Sequence, residues 1–175
     1  MDTTRILYIY QEIVPYTPET IAAKFCRELP QFIQENGDFE VRIFAPCYGI
    51  INERRNQLHE VQRLSGLNMV VDDNDYQLII KVATIQSVRL QVYFIDNEAF
   101  FRRRAMLVDE NNESFKDNDK RIIFYTQGVL ETIKKLRWTP DIIHCSGWFS
   151  ALAPLYIKTM YSTDPFYAKS KVIFS

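Results

Sequence analysis

His144, near the end of a short apolar run from Asp141 to Cys145, stands close in sequence to Ser146, Gly147 and Trp148, which follow that run. Such a run reads as a buried strand, and ligands of open parallel sheets bind in the strand-to-helix loops at the strands' carboxyl ends. An imidazole placed there either takes part in chemistry directly or is a satisfied core histidine. Trp148 either packs the start of the next helix against the sheet or offers its ring to a ligand. Glu12 holds the equivalent place after the run Arg5 to Tyr10, as a ligand contact or as a solvated loop residue paired with an arginine. Asp96 and Asn97 close a third run, where they face a ligand or cap the turn Glu98–Phe101. Arg103 lies in the charge run Arg102-Arg103-Arg104, a pattern that is usually solvated. Arg54-Arg55, with His59 nearby, meets a polyanion or forms an exposed face.

The bulk of the sequence excludes several other chemistries. The chain has 175 residues, about one domain's length, with 47% apolar residues to fill a core. Lys and Arg number 21 against 22 Asp and Glu, which gives no electrostatic case for nucleic acid or an anionic membrane. No apolar run approaches the ~20 residues of a membrane span. The amino terminus, Met1 to Arg5, leads directly into a strand without a secretory pattern. Cys26, Cys47 and Cys145 are too few and too far apart for a disulfide framework or a CxxC metal site, and two histidines make a structural zinc site improbable. Reduced thiols in a cytoplasmic protein, with no metal and no cofactor, are the expectation. There is no GxGxxG or GxxxxGK[ST] loop.

The elements that must position these residues alternate between strand and helix. Arg5 to Tyr10 is near-continuously apolar, as in a strand buried on both faces. Pro18-Glu19-Thr20 opens a helix carrying Ile21, Phe25, Leu29, Phe32 and Ile33 at helical spacing, with a kink expected at Pro30 and an end at Asn36-Gly37. Phe39 to Ala45 is the second strand, so the three form a right-handed βαβ unit with parallel strands. Ile50 to Glu60 reads as a loop or short helix. Three strands follow, Leu67 to Val71, Gln77 to Ala83 and Leu90 to Ile95, and Asp72 to Asp75 makes the first two a hairpin. Arg102 to Asp117 is an exposed loop, Asn118 to Arg137 a helix with a broad apolar stripe, and Trp148 to Met160 another helix. Lys171 to Phe174 starts one more strand, and a domain that ends on such a strand is expected to be a fragment of something longer. The prediction is one α/β domain over 1–175, a Rossmann-like three-layer sandwich with a mainly parallel sheet and a β-hairpin insertion.

Four blocks in order resemble the amino-terminal catalytic domain of bacterial glycogen synthases and plant starch synthases. Arg5-Ile-Leu-Tyr-Ile-Tyr-Gln-Glu-Ile-Val-Pro-Tyr is similar to that family's opening strand followed by Ser-Glu-Val-x-Pro-Phe. Ala45-Pro46-Cys47-Tyr48-Gly49 resembles its Pro-x-Tyr-Gly turn. Val92 to Asn97, with Phe101 and Arg103, resembles a third block. Leu136 to His144 followed by Trp148 resembles the block that ends His-x-His-Asp-Trp. The resemblance implies a GT-B architecture, two Rossmann-like domains with the active site between them. It implies glucose transfer from a nucleotide-glucose, ADP-glucose first, to an α-1,4-glucan, with a carboxyl-terminal Rossmann-like domain supplying most donor contacts. It implies substrate-binding roles for Glu12, Tyr16, Asp96, Asn97, Arg103, His144 and Trp148. It assigns no catalytic residue and no metal. This chain alone is expected to be inactive.

The departures point to chemistry as well. In register with Glu12, the family's Lys-Thr-Gly-Gly-Leu loop falls on Pro18-Glu19-Thr20-Ile21-Ala22, which lacks the phosphate-contacting lysine and both glycines. Backbone that must approach phosphate closely is hindered by Cβ atoms. The aspartate after that loop corresponds to Lys24. In the last block the second histidine is Ser146, the aspartate is Gly147, and Phe149 follows the tryptophan. These losses motivate an alternative: a catalytically dead, synthase-derived module that binds glucan or a partner protein.

Overall fold

The computed structural model describes residues 3–175; Met1 and Asp2 of the amino-terminal reading lie outside the described residues. Strand β1 (Thr4–Tyr10) pairs in parallel with β2 (Phe39–Pro46) on one side and β7 (Ile142–Ser146) on the other. β2 pairs in parallel with β6 (Leu90–Asp96), and β7 with β8 (Lys171–Phe174). The sheet is completed by β3 (His59–Glu60), β4 (Leu67–Val71) and β5 (Asn74–Ile85), in the order β3-β5-β6-β2-β1-β7-β8, with β4 pairing β5. The parallel part, β6-β2-β1-β7-β8, reverses its direction of growth between β1 and β7. That reversal opens a crevice at the strands' carboxyl ends.

The insertion is antiparallel, β4 with β5 and β5 with β6. Asp72 and Asp73 adopt φ of 53° and 60°, which makes the tight hairpin turn and explains why two aspartates stand there. Gln77 to Ala83 was the expected strand core; cross-strand pairing with both neighbours extends it to twelve residues.

Helix α1 (Ile21–Asn36) lies on the face that carries Tyr8, Ile142 and His144. Thr20 caps it, accepting from the Ala23 amide, one residue later than Pro18-Glu19 suggests. It remains helical through Pro30. Helix α3 (Asn118–Lys135) covers the opposite face: a Cβ on Gly128 would meet Leu78 and Ile95 at 3.0 and 3.1 Å. The glycine there permits close helix-to-sheet approach. α3 ends two residues early because Arg137 turns to φ 52°. The short helix α2 (Glu98–Phe101) follows β6.

Ile50 to Glu60 takes the loop alternative, as turns ending in β3, and Asn52 holds the turn by accepting from the Arg55 amide at 2.9 Å. One expectation is corrected. The helix expected from Trp148 begins instead as a 3-10 turn (Trp148–Ser150), and α4 covers only Leu152–Lys158. Gly147 at φ 83° forces the chain to turn before a full helix can start. Among the described residues no helix is long and apolar enough to cross a membrane. The three cysteines are free and buried, and burial pushes the Cys26 and Cys145 thiols up to about 12.

Candidate active site

Because β6, β2, β1 and β7 run in parallel, the residues that follow them gather at one edge. Glu12 follows β1, Cys47 follows β2, Asp96 ends β6, and Trp148 follows β7. The α3 helix fixes this edge. The Tyr125 hydroxyl shares its proton between the carbonyls of Tyr10 (2.8 Å) and Phe44 (2.9 Å), tying the ends of β1 and β2 to the helix.

At the β1/β7 crevice the packing is tight. The Gln11 amide donates to the Ser146 carbonyl at 3.2 Å, and the Gln11 Oε1 accepts from the Phe149 amide at 3.2 Å. A Cβ on Gly147 would lie 2.7 Å from the Gln11 Cβ and 3.0 Å from its Oε1. Glycine is required twice over, by the positive φ and by this contact. The aspartate that the family pattern carries there has no room beside Gln11. Phe149 is fully buried and anchors the turn, while Trp148 is 46% exposed. The tryptophan therefore does not pack the turn against the sheet; its neighbour does, and the indole stays available.

The β1-to-α1 loop is closed on itself. Thr17 and Ile13 exchange hydrogen bonds, the Ile13 amide donating to the Thr17 hydroxyl at 3.0 Å. The Thr20 hydroxyl accepts from the Ala23 amide at 2.9 Å and donates to the Glu12 carboxylate at 2.8 Å. Glu12 thus leans on the mouth of α1 and pairs with a threonine, not an arginine. Glu19 pairs with Lys24 at 2.5 Å, and Ile21 is 91% exposed. At the amino terminus of α1, a place that suits anions in many folds, the Ala23 amide is taken by the protein's own Thr20 hydroxyl, and the carboxylates of Glu12 and Glu19 stand nearby.

At the β2/β6 end the edge is charged. Lys81 of β5 places its Nζ 2.6 Å from Glu53 and 2.7 Å from Asp96. Burial works against the Lys81 ammonium, yet hydrogen bonds to Asp96 and Glu53 outweigh it and raise its pKa. Burial raises the Asp96 carboxyl against the downward pull of Lys81. Cys47, Glu53 and Asp96 bring potential ligand atoms within 4.8 Å of one another, but the Lys81 ammonium already bridges the two carboxylates. These groups line a groove of about 470 Å3 with Gly49, Phe101 and Arg102.

Beneath the loop after β6 lies a residue that sequence reasoning missed. Arg121 of α3 is fully buried. Its Nε donates to the Phe100 carbonyl at 2.8 Å, and its Nη1 to the Met106 carbonyl and the Asn118 Oδ1 at 2.7 Å each. The rings of Phe101, Phe115, Phe149 and Tyr48 surround its guanidinium carbon, with centroids at 5.3 to 5.9 Å. Burial lowers its pKa from the ordinary arginine value. One cation therefore joins the loops that follow β2, β6 and β7. Only a basic residue interrupting the apolar stripe of α3 hinted at it.

The seven expected contact residues separate into two groups. Glu12, Asp96 and Trp148 face the carboxyl edge. Asn97 accepts from the Ala99 amide and donates to the Gln77 carbonyl, so it caps α2 as the capping alternative holds. Tyr16 is buried edge-on to Phe94 at 4.9 Å between centroids, and burial pushes its hydroxyl up to about 12. Arg103 is no solvated member of a charge run: it makes a two-pronged pair with Asp117 and lies over the Phe115 ring. His144 sits within β7, not in the loop, facing α1. Its Nε2 is 3.1 Å from the Ser175 hydroxyl, its Nδ1 3.5 Å from the Tyr10 hydroxyl, and burial lowers its pKa.

A family model described as the starch synthase catalytic domain matches residues 5–175. The chain belongs to that family. A glycogen synthase of Chlorobium limicola is 39% identical over 170 residues, 97% of this chain and 35% of its own length. A glycogen synthase of Chlorobium chlorochromatii is 40% identical over 173 residues. The chain thus spans about a third of the curated relatives it matches. A solved structure titled as the catalytic domain of starch synthase IV from Arabidopsis thaliana, bound to ADP and acarbose, covers 99% of this chain and 34% of its own. Its TM-score is 0.83 at 21% identity, which establishes the α/β fold expected from the starch synthase resemblance.

Proposed function

We propose that residues 1–175 form a single amino-terminal glycosyltransferase domain of a cytoplasmic glycogen or starch synthase. In the longer protein, a carboxyl-terminal Rossmann-like domain completes the cleft. That protein transfers glucose from a nucleotide-glucose, ADP-glucose first, to an α-1,4-glucan. The observation that carries this reading is the family match across 5–175 on a fold whose crevice at β1/β7 gathers Glu12 and Trp148, with Asp96 along the same edge. The exposed Trp148 ring suits stacking against a pyranose, and the carboxylates of Glu12 and Asp96 suit sugar hydroxyls. The chain needs no cofactor in this reading.

A second reading is favoured by the closed α1 terminus and by the Gly147–Gln11 contact. Both fill places where the family pattern puts donor-side groups. On this reading the domain binds glucan or a partner and transfers nothing. Turnover and binding measured together decide: the complete gene product is titrated with ADP-glucose and maltooligosaccharides, beside the 175-residue chain. Glucose incorporation by the complete product alone supports the first reading. Glucan binding with no incorporation by either supports the second.

A further inference from the structure

The carboxyl edge is not the only concave surface. On the α3 face, toward the amino ends of the central strands, Arg42 of β2, Gln91 and Tyr93 of β6, Arg63 before β4 and Lys135 at the end of α3 line a pocket of about 460 Å3. Three cations converge from three separate elements, and no carboxylate is among the lining residues. Arg42 is propped on aromatic rings, its guanidinium carbon 4.9 Å from the Trp138 centroid and 5.9 Å from that of Tyr93. Its Nη2 reaches Glu40 only at 3.5 Å, and its Nη1 is buried without an acceptor among the described residues. Lys135 donates to the carbonyls of Leu64 and Ser65, neutral groups that leave its charge uncompensated.

A buried charged donor without an acceptor is costly and calls for an explanation. The guanidinium fork matches phosphate oxygens in shape and charge. The volume falls within the roughly 300–1,000 Å3 of small-molecule sites, more than a bare phosphate fills. Beyond the cations, the Tyr93 hydroxyl donates to the Gln91 Oε1 at 3.3 Å, which leaves the Gln91 amide N–H groups and the Tyr93 hydroxyl oxygen to meet a neutral, hydroxyl-rich body.

We propose that this pocket binds a small sugar phosphate. Arg42, Arg63 and Lys135 take the phosphoryl group, and Gln91 and Tyr93 face the hydroxyls. The site is separate from the carboxyl edge and does not rest on the glycosyltransferase reading. Trp138 beneath Arg42 is a local reporter, since its indole N–H resonance is distinguished from that of Trp148 by a Trp148→Phe variant. Titration with glucose 1-phosphate at constant ionic strength is expected to shift the Trp138 resonance saturably. Arg63→Met and Lys135→Met, both at exposed positions, are each expected to weaken that binding at least tenfold with the other backbone resonances unmoved, and glucose is expected to leave the Trp138 resonance unmoved. A shift reproduced by chloride, or unchanged affinity in both variants, overturns the site. Equal affinity for inorganic phosphate overturns the sugar assignment.

Discussion

The two ends of the carboxyl edge are built on different physics. At β1/β7 the chain is fitted by shape: Gly147 against Gln11, Phe149 buried beside them, backbone amides satisfied by neutral oxygens. At β2/β6 it is fitted by charge: Lys81 between Glu53 and Asp96, and Arg121 under the adjoining loop. A steric fit tolerates no added atom. A buried charge network tolerates no lost partner, because the remaining charge stays desolvated.

The sharpest break in the charged end is Arg121→Met. It strips two backbone carbonyls and Asn118 of their donor at a fully buried position, and a loss on the order of 3–5 kcal/mol is expected in urea unfolding. A loss under about 1 kcal/mol means the aromatic cage, not the hydrogen bonds, holds the loop. At the other end, Gly147→Asp should cost about 2–4 kcal/mol through positive φ and the clash with Gln11. Gln11→Ser in the same chain should recover part of that cost, and strictly additive effects would show that the two residues do not compete for space.

Lys81→Met is expected to cost about 1–3 kcal/mol and to move the Asp96 titration upward, followed by carbon-detected NMR. An unmoved titration would detach Asp96 from Lys81. The smallest effect concerns His144, whose folded pKa lies below the ordinary 6.5. The unfolded chain then binds the proton more readily than the folded one. Stability from this group is therefore full above pH 6.5 and falls as the pH drops below 6.5 and on through the folded value. In His144→Gln that decline should vanish between pH 6.5 and 5.5, and its persistence would assign it to the carboxylates.

Much of the fold can be read from local pattern. β1 and β7 are apolar because both their faces are covered, and the Asp72-Asp73 turn declares its hairpin through residues tolerant of left-handed backbone. The site is legible only as a set of strand ends. Glu12, Asp96 and Trp148 stand at one edge through the parallel order, whereas His144 lies inside β7, which extends through Ser146, and alternation along the strand turns it toward α1 with Ile142. Asn97 announced its capping role, since Asx before a helical turn is a local signal. Arg103 did not announce Asp117, nor Lys81 its two carboxylates, because those partners are fourteen or more residues distant.

The sequence alone determined the two main helices and every strand but the short β3, which follow from side-chain periodicity within a few residues, and the parallel direction of β1 and β2, which follows from the helix that connects them. Only the tertiary structure decided that Gln11 closes over Gly147 from 136 positions away, that a charged residue of α3 lies in the core, and which expected contacts remain exposed. Steric exclusion and charge pairing act between atoms brought together by the sheet, and their strength depends on distances that no linear spacing records.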